Sequence, residues 1–206
     1  MRKVVAVVDK TGTAIDRLAK GVQKYIEGVD YIICDVHPKK PSPEQLARFE
    51  QVAMVADVID YQYFRTAEML REKYSWLKDK PSVLTHYNPY SIDESDWSEY
   101  DVVIGCNKSI QNALKCEYVP LAVDPDVFRW NAKLPEHKSV IMVANRIEAK
   151  KGILEVAQAC EMLDVPLTLV GSISDPAYFQ QILQCRNITF ASGVSDEELR
   201  DLYYKS

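Results

Sequence analysis

The segment Val4-Val5-Ala6-Val7-Val8-Asp9-Lys10-Thr11-Gly12-Thr13 decides how the chain is read. An unbroken apolar run rich in β-branched residues suits a strand covered on both faces. Asp9 ends the run, so it is too short for the apolar region of a signal peptide, despite the basic Met1-Arg2-Lys3 start. Downstream, Ile15, Leu18, Ala19, Val22 and Ile26 recur at i, i+3, i+4, i+7 and i+11. That is the stripe of an amphipathic helix over 13–28, closed by a glycine. Strand, tight turn and helix make one βα unit.

The same alternation continues outward. Tyr31-Ile32-Ile33-Cys34 reads as a second strand, and Ser42-Pro43-Glu44-Gln45 opens a helix with an N-cap serine and a proline in first position. Strands are expected at 57–60, 82–86, 102–105 and 118–119, and helices over 66–74 and 109–115. The pattern then restarts with strands at 140–144, 167–171 and 188–190 and helices over 152–163 and 176–183. The capping box Ser195-Asp196-Glu197-Glu198 begins a last helix. This alternation predicts an α/β fold of two Rossmann-like units with parallel sheets, the second incomplete. The expected divisions are 1–120 for the first domain, 121–137 for a proline-rich linker and 138–206 for the partial second domain. So small a parallel sheet leaves an apolar edge near Phe190, which predicts a homo-oligomer or a partner covering it.

With 47% hydrophobic and 27% charged residues, the composition excludes a disordered tail, a collagen repeat or a coiled-coil rod. The net charge of −5 gives no support for nucleic acid as a partner or for an anionic membrane surface. Lys39, Lys40, Lys78 and Lys80 are the loop cations of the first domain to test for a local patch. No segment approaches the roughly 18–20 apolar residues that span a bilayer. The five cysteines are scattered, with no C-x-x-C pair, which argues against a zinc site and for a reducing, cytoplasmic location.

Ligands of open α/β sheets sit beyond the carboxyl ends of strands. Candidate loops there are 9–13, 85–88, 145–152, 171–172 and 192–194. The strongest is Asn145-Arg146-Ile147-Glu148-Ala149-Lys150-Lys151-Gly152, where cations lie between a strand end and a helix start. A helix N-terminus attracts phosphate, Arg146 can grip a diphosphate bidentately and Lys151 adds a point charge. The competing reading is a solvated loop whose lysines pair with Glu148 or Glu155. Loop 10–13 has Gly12 alone, so it is neither a dinucleotide fingerprint nor a Walker A loop, and a tight turn is expected. His86 ends the fourth strand, where a lone histidine is more often a packing residue than a catalyst. His37 and His137 lie in polar loops, and no histidine stands at metal-ligand spacing. Asp93, Glu94, Asp96, Glu99 and Asp101 read as a solvated acidic face. Trp76, Trp97 and Trp130 read as core or linker packing, with Trp130 the candidate for a hinge.

Several stretches carry a family likeness in order. They are Tyr118-Val119-Pro120-Leu121-Ala122-Val123-Asp124-Pro125-Asp126-Val127-Phe128, then Val143-Ala144-Asn145-Arg146 with Lys151-Gly152, then the strand 167–171 with its glycine. The last is Ile188-Thr189-Phe190 through Gly193-Val194-Ser195-Asp196-Glu197-Glu198-Leu199 to Tyr203. Together they resemble the retaining family 4 (group 1) glycosyltransferases of the GT-B fold. Leu121-Ala122 stand where the family has Asn-Gly, and Asn145 where it has Gly. The resemblance implies transfer of a hexose from a nucleoside-diphosphate sugar to a carbohydrate or glycoconjugate acceptor, with no cofactor or metal. It implies that Arg146 and Lys151 stabilise the departing diphosphate, with Gly171, Gly193 and Val194 on the donor side. It places His86 near the transferred sugar and Thr11, Gly12 and Thr13 in a reduced acceptor-side loop. The family's Glu-x7-Glu motif and crossover helix lie past the last helix read here, so poor activity is expected of these 206 residues alone. The alternatives are a non-catalytic assembly module of the same ancestry and a nucleotide-sugar epimerase.

Overall fold

The opening apolar run lies within strand β1, Arg2–Val8, whose last four residues are buried. In this computed structural model, residues 1–94, 96–129 and 139–206 are described. The chain divides into two units, Met1–Val123 and Asp124–Ser206. Trp130, His137 and the rest of the expected linker from 130 on lie outside the described residues.

In the first unit, helix α1 (Ala14–Tyr25) starts at Thr13, whose side chain accepts from the Asp16 amide. Strand β2 (Val29–Asp35) follows, and at the start of α2 (Pro43–Met54) the expected N-cap Ser42 forms a capping box with Gln45. Next come β3 (Val58–Tyr61), α3 (Phe64–Lys73), β4 (Ser82–His86), β5 (Val102–Gly105), α4 (Lys108–Leu114) and β6 (Glu117–Tyr118). The strands pair in parallel in the order β2-β1-β3-β4-β5-β6. The chain therefore builds outward from β1 to β2 and then reverses to β3. Such a reversal opens a crevice beyond the strand ends, the place where open α/β sheets take ligands. Phe49, Ile59, Tyr61, Leu70 and Leu84 are fully buried in the core. Each aliphatic or phenyl side chain so buried contributes about 1.5–3 kcal/mol. At the edge strand β2, the Tyr31 and Ile33 carbonyls accept from Gln23 at 2.7 Å and Arg48 at 3.1 Å. Side chains thus occupy backbone acceptors that another strand would need.

The second unit comprises β7 (Val140–Ile147), α5 (Ile153–Met162), β8 (Leu167–Ile173), α6 (Pro176–Ile182), β9 (Ile188–Ala191) and α7 (Asp196–Tyr204). Its parallel sheet has the order β7-β8-β9. One face carries Met142, Leu169 and Phe190 into a core with α5 and α6, and Phe190 packs on Phe179 at 4.8 Å between centroids. Phe190 therefore faces inward, although β9 is an edge of the sheet.

Two differences from the sequence reading bear on the candidate site. Strand β7 runs on through Asn145 and Arg146 to Ile147, with a register shift between Ala144 and Arg146. The irregularity returns Ile147 to full burial, which keeps the strand going past the polar pair. Gly171 lies inside β8 rather than at a turn. A Cβ there would stand 1.9 Å from the Ala144 carbonyl oxygen, so the close approach of β7 requires glycine.

Candidate functional site

In the first unit, loop 10–13 closes on itself. Gly12, at φ +82°, donates its amide to the Asp16 carboxylate at 2.7 Å. The Thr13 hydroxyl donates to the Lys10 carbonyl at 2.9 Å, and Lys20 pairs with Asp16 at 2.8 Å. Asp16 is buried and places negative charge at the helix start, where a bound anion would gain most. Thr11, Gly12 and Thr13 therefore form a self-capped turn.

A cavity of about 250 Å³ lies at the reversal point, between Ile15 on α1, residues 63–65 after β3 and residues 85–88 at the end of β4. His86 lines it and is 2% exposed. Its ring sits 4.4 Å from Trp97 and 5.9 Å, edge-on, from Phe64. Burial holds its pKa below the ordinary histidine value, opposed by a backbone hydrogen bond at Asn88 and the charge of Glu94. The ring is thus neutral at pH 7, and its Nε2 is buried without a hydrogen-bond partner. At the same cavity Arg65 forms an ion pair with Glu94 and lies over the Phe64 ring.

Behind the cavity wall runs a buried polar chain. Tyr31 donates to Asp60 at 2.6 Å, Gln62 donates to Asp60 at 2.7 Å, and the Tyr87 hydroxyl donates to Gln62. Burial raises the Asp60 pKa, and these two donors to its carboxylate oppose the shift. Tyr87 lines the cavity, so the chain ties its wall to β2 and β3.

The acidic stretch is exposed, as expected of a solvated face, and several of its carboxylates also hold partners. Glu94 pairs with Arg65, Glu99 lies between Arg71 at 3.7 Å and Lys78 at 3.6 Å, and Asp101 accepts from the Ser82 amide at 2.8 Å. Trp97, read as packing, covers the His86 ring. The available signal was an arginine-bearing helix, with Arg65 and Arg71, set against an acidic loop holding one tryptophan.

In the second unit the candidates gather at the carboxyl ends of neighbouring strands. Arg146 is the register partner of Ser172, and Val170 that of Ala191 at the end of β9. Adjacent strands lie about 4.8 Å apart, so these exits form one short row. Gly193 follows at φ +68°, then half-buried Val194, then Ser195, which caps α7. Arg146 and Lys150 stand 3.6 and 3.3 Å from Glu148 Oε1. The solvated-loop reading is correct for that pairing. Both cations are mostly exposed while Glu148 is half-buried, and neither contact is a hydrogen bond, so solvent screens the cations and leaves them available to an anionic ligand. Among the described residues Lys151 makes no ion pair. Helix α5 starts at Gly152, φ +65°, with no side-chain cap. Tyr178 accepts the Leu154 amide at 2.8 Å. Gly171 is accounted for by its contact with β7. Among the described residues no group of three or more His, Cys, Asp or Glu could hold a metal ion, and no helix is long and apolar enough to cross a membrane.

No protein-family model and no curated protein matches the chain. Solved structures do. AviGT4, a glycosyltransferase involved in avilamycin A biosynthesis, superposes with a TM-score of 0.65 at 17% identity over 98% of this chain. HepE from Anabaena, solved in complex with UDP, gives 0.64 at 15% over 97%. A UDP-N-acetylglucosamine 2-epimerase from Rickettsia bellii gives 0.55 at 11% over 99%. The chain spans 66% of the length of AviGT4 and 71% of HepE. At these identities the likeness establishes the fold, two Rossmann-like units of the GT-B type with the second incomplete.

Proposed function

With the GT-B fold as premise, we propose that the chain forms the acceptor-side unit and part of the donor-side unit of a retaining hexosyltransferase. The donor is a nucleoside-diphosphate sugar, the acceptor a carbohydrate or glycoconjugate, and the setting the cytoplasm. The fold alone does not separate a transferase from an epimerase, so the reading rests on the site. The observation that carries it is the pair Arg146 and Lys151, exposed at the exit of β7 and beside the start of α5, where Gly152 supplies no side-chain cap. A leaving diphosphate gains negative charge as the sugar–oxygen bond breaks. Cations already in place stabilise that transition state without reorganisation. The left-handed turn at Gly193, with Val194 after it, lets backbone approach the nucleobase closely. Neutral His86 lines the cavity, and its buried, unpartnered Nε2 can accept a hydrogen bond from a sugar hydroxyl that reaches it.

Calorimetric titration with UDP, GDP and ADP tests this reading. Arg146→Ala and Lys151→Ala should each weaken the best nucleotide about tenfold, the usual scale of a charge-assisted bond. Equal affinity in wild type and both variants would sink the diphosphate assignment. The second reading, a non-catalytic module that assembles with a partner, draws on the second unit's sheet, where Val143 stays 43% exposed. It predicts a defined oligomer in light scattering and no turnover of any nucleotide sugar.

A further inference from the structure

We propose that Arg71 is a positioning residue for the His86 cavity, holding Trp97 against the imidazole through the backbone of Glu99. The proposal rests on the reading of that cavity as part of the transfer site. Phe64 and Arg71 stand seven residues apart on α3, on one helical face. Phe64 meets Trp97 at 5.7 Å between centroids. Arg71 donates through Nη2 to the Glu99 carbonyl at 2.8 Å, and its guanidinium lies 4.8 Å over the Tyr100 ring. The Tyr100 amide in turn donates to the Trp97 carbonyl at 3.4 Å. The short helical turn Trp97–Glu99 is thus fixed at one end by a ring contact and at the other by the guanidinium.

Arg71 is poorly matched as a stabilising ion pair. It is 4% exposed, yet Nε and Nη1 have no hydrogen-bond partner. Its carboxylate neighbour, Glu99, stays 3.7 Å from Nε and shares itself with Lys78. A buried ion pair can often be replaced by apolar side chains of similar volume at no loss of stability, so an incompletely partnered one is weak evidence of a stabilising role. What Arg71 does supply is geometry: a planar fork on a carbonyl and a flat cation on a ring, which together set where Trp97 sits.

The test is the His86 ring titration, followed by NMR in the full chain and assigned by the signal lost in His86→Gln. Burial under Trp97 depresses it in the wild type. In Arg71→Met water reaches the ring, and the titration moves up toward the ordinary value by about half a unit or more. Trp97→Ala sets the upper reference. Glu94, Arg65 and the Asn88 backbone face the ring alike in all variants. Glu99→Ala keeps the carbonyl and should titrate like the wild type. If Arg71→Met does not fold, Arg71→Lys decides, with a smaller shift in the same direction. An Arg71 variant that lowers the melting temperature yet leaves the His86 titration unchanged overturns the proposal. Nucleotide titration run in parallel keeps the two readings apart: its failure sinks the transferase and leaves the Arg71–His86 link standing.

Discussion

Loops 9–13 and 147–152 have the same topological task, since each carries the chain from the first strand of a parallel sheet into its first helix. In the first, the Asp16 carboxylate takes the Gly12 amide and is itself neutralised by Lys20. In the second, Gly152 supplies no cap, the Leu154 amide goes to the Tyr178 hydroxyl instead, and the exposed Arg146 and Lys150 contact half-buried Glu148. One loop has already bound its anion, from its own helix. The other still presents charge to solvent. Identical topology therefore gives two different sites, and the residue three places into the helix decides between them: Asp16 turns back onto the loop, whereas Glu155 caps nothing.

The glycines of the two units sharpen the contrast and carry the largest expected effect. Gly171→Ala drives a methyl into the Ala144 carbonyl, so the second unit should lose about 3 kcal/mol in denaturant unfolding, with the first unchanged. Gly12→Ala meets open space and suffers only its positive φ, about 1 kcal/mol in the first unit. If the two substitutions cost the same, space is not what Gly171 provides. Next comes Arg146→Ala combined with Lys151→Ala, which should weaken nucleotide binding by at least tenfold, while Asp16→Ala leaves it unchanged. A stronger nucleotide complex in Asp16→Ala would break the comparison, because the first loop would then be an anion site held shut. Asp16→Ala should also cost the first unit about 1 kcal/mol, by stranding the Gly12 amide.

The smallest effect is on pH. The folded pKa of His86 is depressed, so between that value and the unfolded one, about 6.5, the unfolded chain binds more protons. Stability of the first unit is therefore full above about pH 6.5 and falls as the pH drops through the folded pKa. His86→Gln should flatten that part of the melting profile. A slope unchanged by the substitution would mean that another group sets it.

Local chemistry was legible. The capping boxes at Ser42 and Ser195 close within four residues, so a short window contains the whole interaction. The cations around Glu148 could likewise be read, including their pairing with it. Gly171 was misplaced because its reason is Ala144, a residue on the neighbouring strand fixed by register. The exposure of the acidic stretch was legible, but its partners on α3 and at the start of β4 were not, because they sit far off in the chain.

By itself the sequence determined the strand–helix alternation, the restart after the proline-rich segment and the sites of exposed cations. Each follows from periodicity or composition within a dozen residues. Only the tertiary structure decided the strand order with its reversal between β1 and β3, and the cavity that reversal opens. It alone made His86 a buried, neutral ring with one unpartnered nitrogen. Burial and the desolvation that shifts a pKa depend on side chains brought from distant parts of the chain, here Phe64 and Trp97.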